Sequence, residues 1–460
     1  MPERDFDAIV IGGGAPGEHT AAAIAAGGLR VAIVERELLG GECSYWACIP
    51  SKTLLRPGEA LAAAREVPGA REAVTGSVDA SAALAWRDFM VSSYSDTGQQ
   101  TWARDAGIEV LRGAGRLAGP HTVAVGETTY TAEHIVLATG ADPIIPPVPG
   151  LRELPGVWTN REATGVTEIP RRLLILGAGP VGVEMSQVFT RFGASVTLVG
   201  AADRVLPREP RTLGAALGEA LRADGIELHL GQQVIAAGLD GDDYRLDLAD
   251  GTRLHGDRLL VATGRRPRVT GIGLDTVGIE ANPRGIPVDE RMSAGEGLWA
   301  VGDVTGQWNL THVGEYHGRV VAANILGTPR TINYDAVPRV VFTDPQAAAV
   351  GAADGPFTAT VPLAGVARTA TYTRAYDTRS DFLTVVSDGD RLTGAYAVGP
   401  EAGEWLQQAT VAIRARIPLP VLLDVIQPFP TFSEAFLHAL RDLDTHIQAG
   451  SPPRRATSMA

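Results

Sequence analysis

Lysine and cysteine are almost absent from this chain of 460 residues. There are two cysteines, Cys43 and Cys48, and of the 40 basic residues all but Lys52 are arginine. The three rare residues lie together in one stretch, GGECSYWACIPSK, at positions 40–52. Arginine cannot replace lysine as a compact ammonium with an adjustable pKa, so a lysine kept only here indicates a chemical role for the stretch.

Other shortages exclude classes of function. A net charge of −13 leaves no basic field for a nucleic-acid backbone. No apolar run is long enough to span a bilayer, and no signal peptide is evident, since glycines interrupt the first apolar segment, FDAIVIGGG. We therefore expect a cytoplasmic protein that binds neither nucleic acid nor membrane.

The two cysteines have three interpretations. In a reducing compartment a cysteine pair is more often catalytic or metal-binding than a structural disulfide. Cys43 and Cys48 have no histidine beside them and make a poor zinc site, because tetrahedral zinc needs four ligands. On count alone they could also be two small buried apolar side chains. We predict no metal site.

The N-terminal segment has the pattern of a dinucleotide-binding βαβ unit. An apolar strand leads into Gly12, Gly14 and Gly17 with G-x-G-x-x-G spacing, and an alanine-rich helix and a second strand ending at Glu35 follow. Glycine lets the backbone approach a pyrophosphate at the helix N-terminus, and an acid at the end of the second strand binds a ribose diol. These four residues predict a nucleotide site.

The same unit recurs in RRLLILGAGPVGVEMSQVFTRFGASVTLVG. Gly177, Gly179 and Gly182 repeat the glycine spacing between a strand and a helix. Two such units predict two bound dinucleotides, and hence an electron relay between two cofactors.

Two similar segments, IVLATGADP and LLVATGRRP, run from an apolar strand through Ala-Thr-Gly to proline. They predict the strands that close each nucleotide unit, and we expect their glycines, Gly140 and Gly264, at the cofactors. From Tyr334 the pattern changes to that of an antiparallel sheet with helices. Residues 451–460 are predicted to be a disordered tail.

The chain resembles the flavoprotein (pyridine nucleotide-) disulfide oxidoreductases, the family that includes dihydrolipoyl dehydrogenase, glutathione reductase and mercuric reductase. The resemblance covers nearly the full length, and the stretch 40–52 matches the family pattern G-G-x-C-x4-C-x-P-S-K. It implies an α/β fold with two Rossmann-like domains, for FAD and for NADPH or NADH, and a C-terminal α+β domain that forms a homodimer. The expected bounds are 1–150 with 265–333 for FAD, 151–264 for NAD(P)H and 334–450 for dimerisation.

The resemblance also implies a role for each rare residue. Cys43 would attack the substrate and form a mixed disulfide, while Cys48 would lie against the flavin as the charge-transfer thiolate. Lys52, one helical turn after Cys48, would lie near the reactive nitrogen of the flavin and stabilise the charge of its reduced form. Glu184, in GPVGVE, matches the family's partner for that lysine.

Two further positions match flavin contacts of the family. Asp303, in LWAVGDVTG, corresponds to the aspartate that contacts the ribityl chain, and a turn-stabilising aspartate is the alternative. His312, in LTHVGEYHG, corresponds to the position where a helix N-terminus approaches the flavin ring. An ordinary hydrogen-bonded histidine is the alternative for His312.

The chain departs from the family at the C-terminal motif. Members that reduce disulfides usually end with His-x-His-Pro-Thr-x-Ser-Glu, whose histidine before proline acts as an acid–base group in the other subunit. Here the segment reads QPFPTFSE, with Phe429 at that position and Glu434 retained. Phenylalanine carries no exchangeable proton, so disulfide exchange should be slower by about 10²–10⁴-fold. His438, four residues after Glu434, is either a substitute or a surface histidine.

A second departure lies between the cysteines, where Ser-Tyr-Trp-Ala replaces small and polar residues. Tyr45 and Trp46 either pack in the core or shape a flat pocket for an aromatic acceptor such as a quinone.

A third departure concerns the nucleotide. Gly200 replaces the acid that would bind an NAD ribose, and Arg204 or Arg208 could approach a 2′-phosphate, although Ala201 replaces the arginine typical of NADP-specific members. NADPH is slightly favoured, and NADH stays open.

The sequence therefore predicts an FAD-dependent NAD(P)H oxidoreductase that passes electrons through the Cys43–Cys48 pair to a small thiol- or disulfide-type acceptor. Lys52, Glu184 and Glu434 complete the predicted catalytic set. One alternative is a quinone or electrophile reductase that uses the flavin directly. Another is a non-catalytic, redox-sensing descendant.

Overall fold

The computed structural model describes residues 4–280, 282–373 and 380–450, which fold into an α/β structure. The strands are β1 (Phe6–Ile11), β2 (Val31–Glu35), β3 (Ile108–Arg112), β4 (Gly115–Leu117), β5 (Thr122–Val125), β6 (Thr128–Leu137), β7 (Ala141–Pro143), β8 (Arg172–Leu176), β9 (Ser195–Gly200), β10 (Glu227–Leu230), β11 (Val234–Asp240), β12 (Asp243–Leu248), β13 (Arg253–Gly256), β14 (Arg258–Val261), β15 (Arg265–Pro267), β16 (Ser293–Gly295), β17 (Leu298–Ala300), β18 (Arg339–Val341), β19 (Gln346–Gly351), β20 (Phe357–Pro362), β21 (Phe382–Ser387) and β22 (Leu392–Gly399). The helices are α1 (Ala15–Ala26), α2 (Gly41–Tyr45), α3 (Cys48–Glu66), α4 (Ala80–Met90), α5 (Thr97–Asp105), α6 (Asn160–Thr164), α7 (Pro180–Arg191), α8 (Arg211–Ala223), α9 (Thr311–Ile325), α10 (Ala367–Tyr372), α11 (Ala402–Trp405), α12 (Gln407–Arg414), α13 (Leu419–Leu423) and α14 (Glu434–Gln448).

The first sheet has the order β16-β17-β6-β1-β2-β3, so strands from two distant parts of the chain lie side by side. Strands β1 and β2 are parallel and apolar, and they are buried almost throughout, as expected when helices cover both faces of a sheet. Helix α1 packs against α9, which follows β17 after a short turn at Gly302–Thr305. This arrangement brings α9 to the glycine turn after β1.

The second unit contains a parallel sheet of order β10-β9-β8-β14 and an antiparallel sheet of β11, β12 and β13. The chain enters and leaves this unit through β7 and β15, which pair antiparallel with each other. The two Ala-Thr-Gly segments therefore meet at the crossover between the nucleotide-binding units.

The two glycine turns have the same geometry. Gly12 has a φ of +110°, and a Cβ on it would lie 2.3 Å from the Ala138 carbonyl oxygen. Gly177 has a φ of +121°, and a Cβ on it would lie 2.4 Å from the Ala262 carbonyl oxygen. Only glycine fits where the backbone is left-handed and another strand end is in contact.

The C-terminal unit is an antiparallel sheet of order β18-β19-β22-β21-β20 covered by helices that include α14. Its core includes Trp405, Phe432 and Phe436. The predicted α+β texture after Tyr334 is therefore confirmed. The predicted disordered tail, 451–460, lies outside the described residues.

One apolar cluster contacts all three units. It combines Leu54 of α3, Phe189 of α7 and Val398 of β22. Burial of this cluster holds α3 against α7, and thereby sets the position of the cysteine stretch relative to the second nucleotide unit. No helix in the described part of the chain is both long and apolar enough to cross a membrane.

Candidate active site

The two cysteines lie at the junction of the short helix α2 and the long helix α3, and one hydroxyl contacts both of them. Cys43 is in α2, and Cys48 is the first residue of α3; both are free and partly buried. Thr311, the first residue of α9, has its Oγ1 3.2 Å from Cys48 Sγ and donates to Cys43 Sγ at 3.5 Å. The fold thus places one hydroxyl within reach of both sulfurs.

The surroundings drive the two thiol pKa values apart. The hydrogen bond from Cys43, with help from the Thr311 hydroxyl and the Lys52 charge, lowers the pKa of Cys48 to about 6 against the effect of burial. The same bond to Cys48, then burial and the charges of Cys48 and Glu315, raise the pKa of Cys43. The lowered pKa favours the thiolate form at Cys48, and the raised pKa favours the protonated thiol at Cys43.

Lys52 and Glu184 are brought together from separate units. Lys52 Nζ donates to Glu184 Oε2 at 2.8 Å and to Oε1 at 3.1 Å. Glu184 is 5% exposed, and its Oε1 also accepts from the backbone N–H of Phe342 at 2.9 Å. The lysine charge is thereby fixed on the side of Cys48, whose pKa it lowers.

The first glycine turn has room for a pyrophosphate. A Cβ on Gly14 would meet nothing closer than 4.0 Å, so the space before the N-terminus of α1 is open, whereas Gly17 is packed against the Gly12 carbonyl. Glu35 ends β2 and accepts from the backbone N–H of Gly13 at 2.8 Å, which holds its carboxylate beside the turn. These residues fit the diphosphate and ribose of FAD.

Asp303 lies in the turn that packs on α1. Its neighbour Gly302 contacts Pro16 in the first turn of that helix. Burial raises the pKa of Asp303, and its closest cation is Arg265, with Nε 3.9 Å from Oδ2. No hydrogen bond reaches its carboxylate from the described residues, so it has acceptor positions for hydroxyls of a cofactor chain.

The second glycine turn has the same open space. A Cβ on Gly179 would meet nothing within 4 Å, while Gly182 is packed against the Gly177 carbonyl. Gly200 ends β9, and a Cβ on it would lie 2.8 Å from Ala178 Cβ. The cradle therefore fits a second dinucleotide and has no carboxylate at the end of its second strand.

Arg204 is engaged within its own loop. Its guanidinium donates to Asp203 Oδ1 at 3.0 Å and to the Pro207 carbonyl at 3.0 Å. Arg208 is exposed and makes no side-chain hydrogen bond or ion pair with the described residues. Of the two arginines considered from sequence, Arg208 is the one with its donors free.

The remaining sequence-predicted cofactor residues lie at turns between units. Gly140 and Gly264 follow β6 and β14, and their carbonyls accept from the backbone N–H groups of Arg268 and Ile144, each at 2.9 Å. His312 Nε2 donates to the Pro338 carbonyl at 2.9 Å. His312 therefore links the start of α9 to the segment before β18. This contact fits the alternative from the sequence, an ordinary hydrogen-bonded histidine.

The C-terminal motif lies away from the cysteines of its own subunit. Phe429 is 73% exposed, and Glu434 begins α14. Glu434 Oε2 is buried without a hydrogen-bond partner among the described residues. His438 is a surface residue whose Nε2 lies 3.9 Å from Glu434 Oε1. Glu434 therefore keeps one oxygen without a hydrogen bond from the described residues, in the motif where Phe429 replaces the family's histidine.

The aromatic residues between the cysteines do not form a flat pocket. Tyr45 is 1% exposed, and its hydroxyl donates to the Leu39 carbonyl at 3.1 Å. Trp46 stacks with Tyr94, and the Arg161 guanidinium lies 4.0 Å from the centre of its ring. Tyr45 belongs to the core, and the Trp46 ring is in contact with Tyr94 and Arg161.

Sequence reasoning missed Thr311, which contacts both sulfurs, Glu315, whose charge acts on Cys43, and His19, which lies beside Glu315. Thr311 and Glu315 are four apart at the start of α9, a spacing that places both on one helix face. His19 of α1 has Nε2 3.9 Å from Glu315 Oε1. The i, i+4 spacing in THVGE was visible in the sequence, but nothing there showed that it faces the cysteines.

The chain matches the model of the pyridine nucleotide-disulphide oxidoreductase family over residues 6–318 and the dimerisation domain of that family over residues 337–440. A dihydrolipoyl dehydrogenase from Thermus scotoductus is 34% identical over 97% of this chain and 98% of its own length. A mercuric reductase from Shigella flexneri is 34% identical over 95% of this chain and 81% of its own.

Among solved structures, the Cu(II) complex of the HOCl-induced flavoprotein disulfide reductase RclA from Escherichia coli aligns with a TM-score of 0.81. It is 28% identical and covers 94% of this chain and 99% of its own. The family, the fold, the homodimer and the enzymatic nature predicted from sequence are confirmed, and the non-catalytic alternative falls away. The chain belongs to the pyridine nucleotide-disulphide oxidoreductases, FAD-dependent homodimeric enzymes that take electrons from NAD(P)H.

Proposed function

We propose that the enzyme delivers electrons from NAD(P)H through Cys48 and Cys43 to a small disulfide- or thiol-type acceptor that reacts at Cys43. The observation that carries the proposal is the separation of roles in the pair. Cys48 is the stabilised thiolate on the side of Lys52, and Cys43 is the protonated thiol on the side of Glu315. A pair of this kind suits thiol–disulfide exchange, in which one sulfur attacks and the other resolves the mixed disulfide.

The residues of the chain divide the work. FAD, when bound, accepts a hydride from NAD(P)H and supplies an electron pair to the disulfide. Lys52, held by Glu184, places positive charge beside Cys48 and favours its ionised form. The Thr311 hydroxyl contacts both sulfurs, with Oγ1 3.2 Å from Cys48 Sγ and 3.5 Å from Cys43 Sγ, and it has one proton to donate to either of them. Cys43 then attacks the acceptor, and Cys48 displaces the product from Cys43.

We also propose NADPH as the preferred donor. The end of β9 carries Gly200 rather than an acid, so the carboxylate that would repel a 2′-phosphate at this position is absent. Arg208 has free donors in the loop after that strand, while Arg204 is held by Asp203 and Pro207. The carboxylate that would favour NADH is thus missing at the end of β9, and Arg208 is the partner that we propose for the 2′-phosphate.

The proposal is tested by counting thiols in the FAD-loaded enzyme. Under anaerobic conditions NADPH should yield two thiols per subunit that iodoacetamide can alkylate, at Cys43 and Cys48. The same enzyme should reduce bis(2-hydroxyethyl) disulfide, and Cys43→Ser and Cys48→Ser should each abolish that turnover. Failure of both serine variants to lower disulfide turnover would refute a role for the pair.

Direct reduction of a quinone by the flavin is the second candidate. It is favoured by Phe429, which supplies no proton for disulfide chemistry and is 73% exposed in the subunit. Menadione is the probe. If Cys43→Ser reduces menadione at the wild-type rate, and the wild type reduces no disulfide, the flavin-direct function replaces the proposed one.

A further inference from the structure

Cys43 needs a partner that can accept and return its proton. Phenylalanine at position 429 cannot do this. Within the described residues, the side-chain hydrogen bonds at Cys43 come from Cys48 and Thr311. The Thr311 hydroxyl can share a proton between the sulfurs but cannot store one, since a threonine hydroxyl does not titrate in water.

The next group on the same helix face is a carboxylate. Glu315 follows Thr311 by one turn of α9, so the two side chains lie one above the other. The charge of Glu315 acts on Cys43, since it raises the pKa of that thiol. Its side chain is 27% exposed, so the carboxylate is partly open to solvent.

His19, a residue of helix α1, lies beside the Glu315 carboxylate. His19 Nε2 lies 3.9 Å from Glu315 Oε1, and α1 packs along α9. His19 Nδ1 donates to the Ala15 carbonyl at 2.8 Å, so Nε2 is the nitrogen that can gain or lose a proton towards Glu315. The His19 side chain is 53% exposed and can exchange protons with water.

We propose that Glu315, paired with His19, is the acid–base group of Cys43, in place of the histidine that Phe429 replaces. The pair belongs to the same subunit as the cysteines, whereas the family's histidine comes from the other subunit. This inference rests on the proposed function, because it names the proton carrier for the exchange at Cys43. Thr311 touches both reacting sulfurs and holds the Cys48 thiolate.

The acceptor in this exchange is a disulfide. The Cys43 thiol gives its proton to Glu315, directly or through one water, and its sulfur attacks the acceptor. The acceptor S–S bond breaks, a Cys43 mixed disulfide forms, and the leaving thiolate takes the proton back from Glu315. The Cys48 thiolate then breaks the mixed disulfide, and the second product thiolate takes a proton from water through His19. Two electrons from NAD(P)H by way of FAD restore the dithiol.

The test uses two disulfides that differ in their need for an acid. Bis(2-hydroxyethyl) disulfide releases an alkyl thiolate of high pKa, whereas 5,5′-dithiobis(2-nitrobenzoate) releases an aryl thiolate that leaves without a proton. In the FAD-loaded, full-length enzyme, Glu315→Gln should lower kcat for the alkyl disulfide about tenfold or more and leave the aryl disulfide within about twofold. Glu296→Gln, which changes an exposed glutamate after β16, should lower neither rate.

Thiol reactivity gives a second readout that does not depend on turnover. In enzyme reduced with a phosphine, Glu315→Gln should raise the rate of Cys43 alkylation by iodoacetamide at pH 8 about threefold, since removal of a nearby negative charge favours the thiolate. Thr311→Val should slow Cys48 alkylation at pH 6.5, and Thr311→Ser should restore it. A general loss of structure would not raise the alkylation rate of Cys43 and at the same time lower kcat for the alkyl disulfide alone.

The outcomes separate the two proposals. If Glu315→Gln lowers kcat equally for both disulfides, or leaves the rate of Cys43 alkylation unchanged, the role of Glu315 is overturned. If the wild type reduces neither disulfide, the proposed acceptor class fails. The alkylation rates then decide on Glu315 and Thr311 alone, and unchanged rates in both variants would overturn this inference as well.

Discussion

The only lysine of the chain, Lys52, donates from Nζ to Glu184 Oε2 at 2.8 Å and so joins α3 of the first nucleotide unit to α7 of the second. The same carboxylate accepts from the backbone N–H of Phe342, which lies between strands β18 and β19 of the C-terminal sheet. Three parts of the protein therefore meet at one ion pair beside Cys48. This pair has a structural consequence and a chemical one.

Lys52→Met should destabilise the protein. The substitution leaves Glu184, 5% exposed, as a buried carboxylate whose one remaining hydrogen bond from the described residues is the Phe342 N–H. We expect the free energy of unfolding to fall by about 2 kcal/mol at neutral pH, since buried polar groups without partners cost about that much. Urea unfolding in excess FAD measures it. The double variant Lys52→Met, Glu184→Gln should recover most of the loss, and no recovery would contradict the account.

Cys48 should stay reactive in mild acid. Its pKa is lowered to about 6, so its thiolate persists above pH 6 and is lost as the pH falls below that value, while an ordinary cysteine loses its thiolate below about pH 8.5. Alkylation of the reduced enzyme between pH 5 and 9, with Cys43 and Cys48 peptides separated by mass spectrometry, measures both. Lys52→Met should move the Cys48 midpoint upward; an unshifted midpoint would show that Lys52 has no effect on the thiolate.

Phe429→His should increase turnover of alkyl disulfides. Glu434 Oε2 is buried without a partner among the described residues, so a carboxylate is already in place to orient an imidazole at position 429. We expect a gain of about tenfold with bis(2-hydroxyethyl) disulfide, less than the 10²–10⁴-fold typical of general acid–base catalysis, because Glu315 already serves as an acid–base group in the wild type. The gain should be larger in a Glu315→Gln background, where the other acid–base group is missing. Phe429→Leu is the control, and an equal gain there would argue against an acid–base explanation.

Protonation of His317 should destabilise the protein at low pH. His317 is fully buried; its Nδ1 accepts from the Gly302 N–H at 3.2 Å, and its Nε2 lies 2.6 Å from the Tyr334 hydroxyl. Burial lowers its pKa from 6.5 to about 4. Between pH 6.5 and about pH 4, His317 is therefore protonated in the unfolded chain but neutral in the folded chain. The free energy of unfolding consequently decreases as the pH falls across that window.

The expected loss from this one histidine is on the order of 3 kcal/mol. It is measured as the difference in unfolding free energy between pH 7 and pH 4.5, compared between wild type and His317→Gln. The variant should show the smaller difference, because glutamine does not titrate. Equal pH dependence in the two proteins would contradict the assignment to His317.

Arg208→Ala should weaken NADPH use selectively. If Arg208 binds the 2′-phosphate, its loss removes one charge-assisted hydrogen bond, and we expect KM for NADPH to rise about tenfold with little change for NADH. Steady-state kinetics with both donors measures the ratio. Arg204→Ala is the matched comparison in the same loop, since Arg204 is already held by Asp203. Equal effects on NADPH and NADH would exclude recognition of the phosphate by Arg208.

The features that depend on local pattern follow from the amino-acid sequence alone. Each nucleotide unit is recognised from a local pattern: the glycine spacing, the apolar strands and, in the first unit, the acid at the end of β2. Backbone sterics set this pattern over a few tens of residues, and for this reason both units could be predicted from it. The change of pattern after Tyr334 likewise predicted the antiparallel sheet. Cys43, Cys48 and Lys52 could be singled out from the sequence because cysteine and lysine are so rare in this chain.

The surroundings of the cysteines depend instead on tertiary packing. Thr311 reaches Cys48 across 263 positions of sequence, and Glu315 and His19 meet only because α9 packs on α1. Tyr45 could have lined a pocket or the core, and its burial follows from how α2 docks, which no local pattern contains. Contacts between distant segments depend on how helices and sheets pack, and for this reason the proton partner of Cys43 became visible only in the fold.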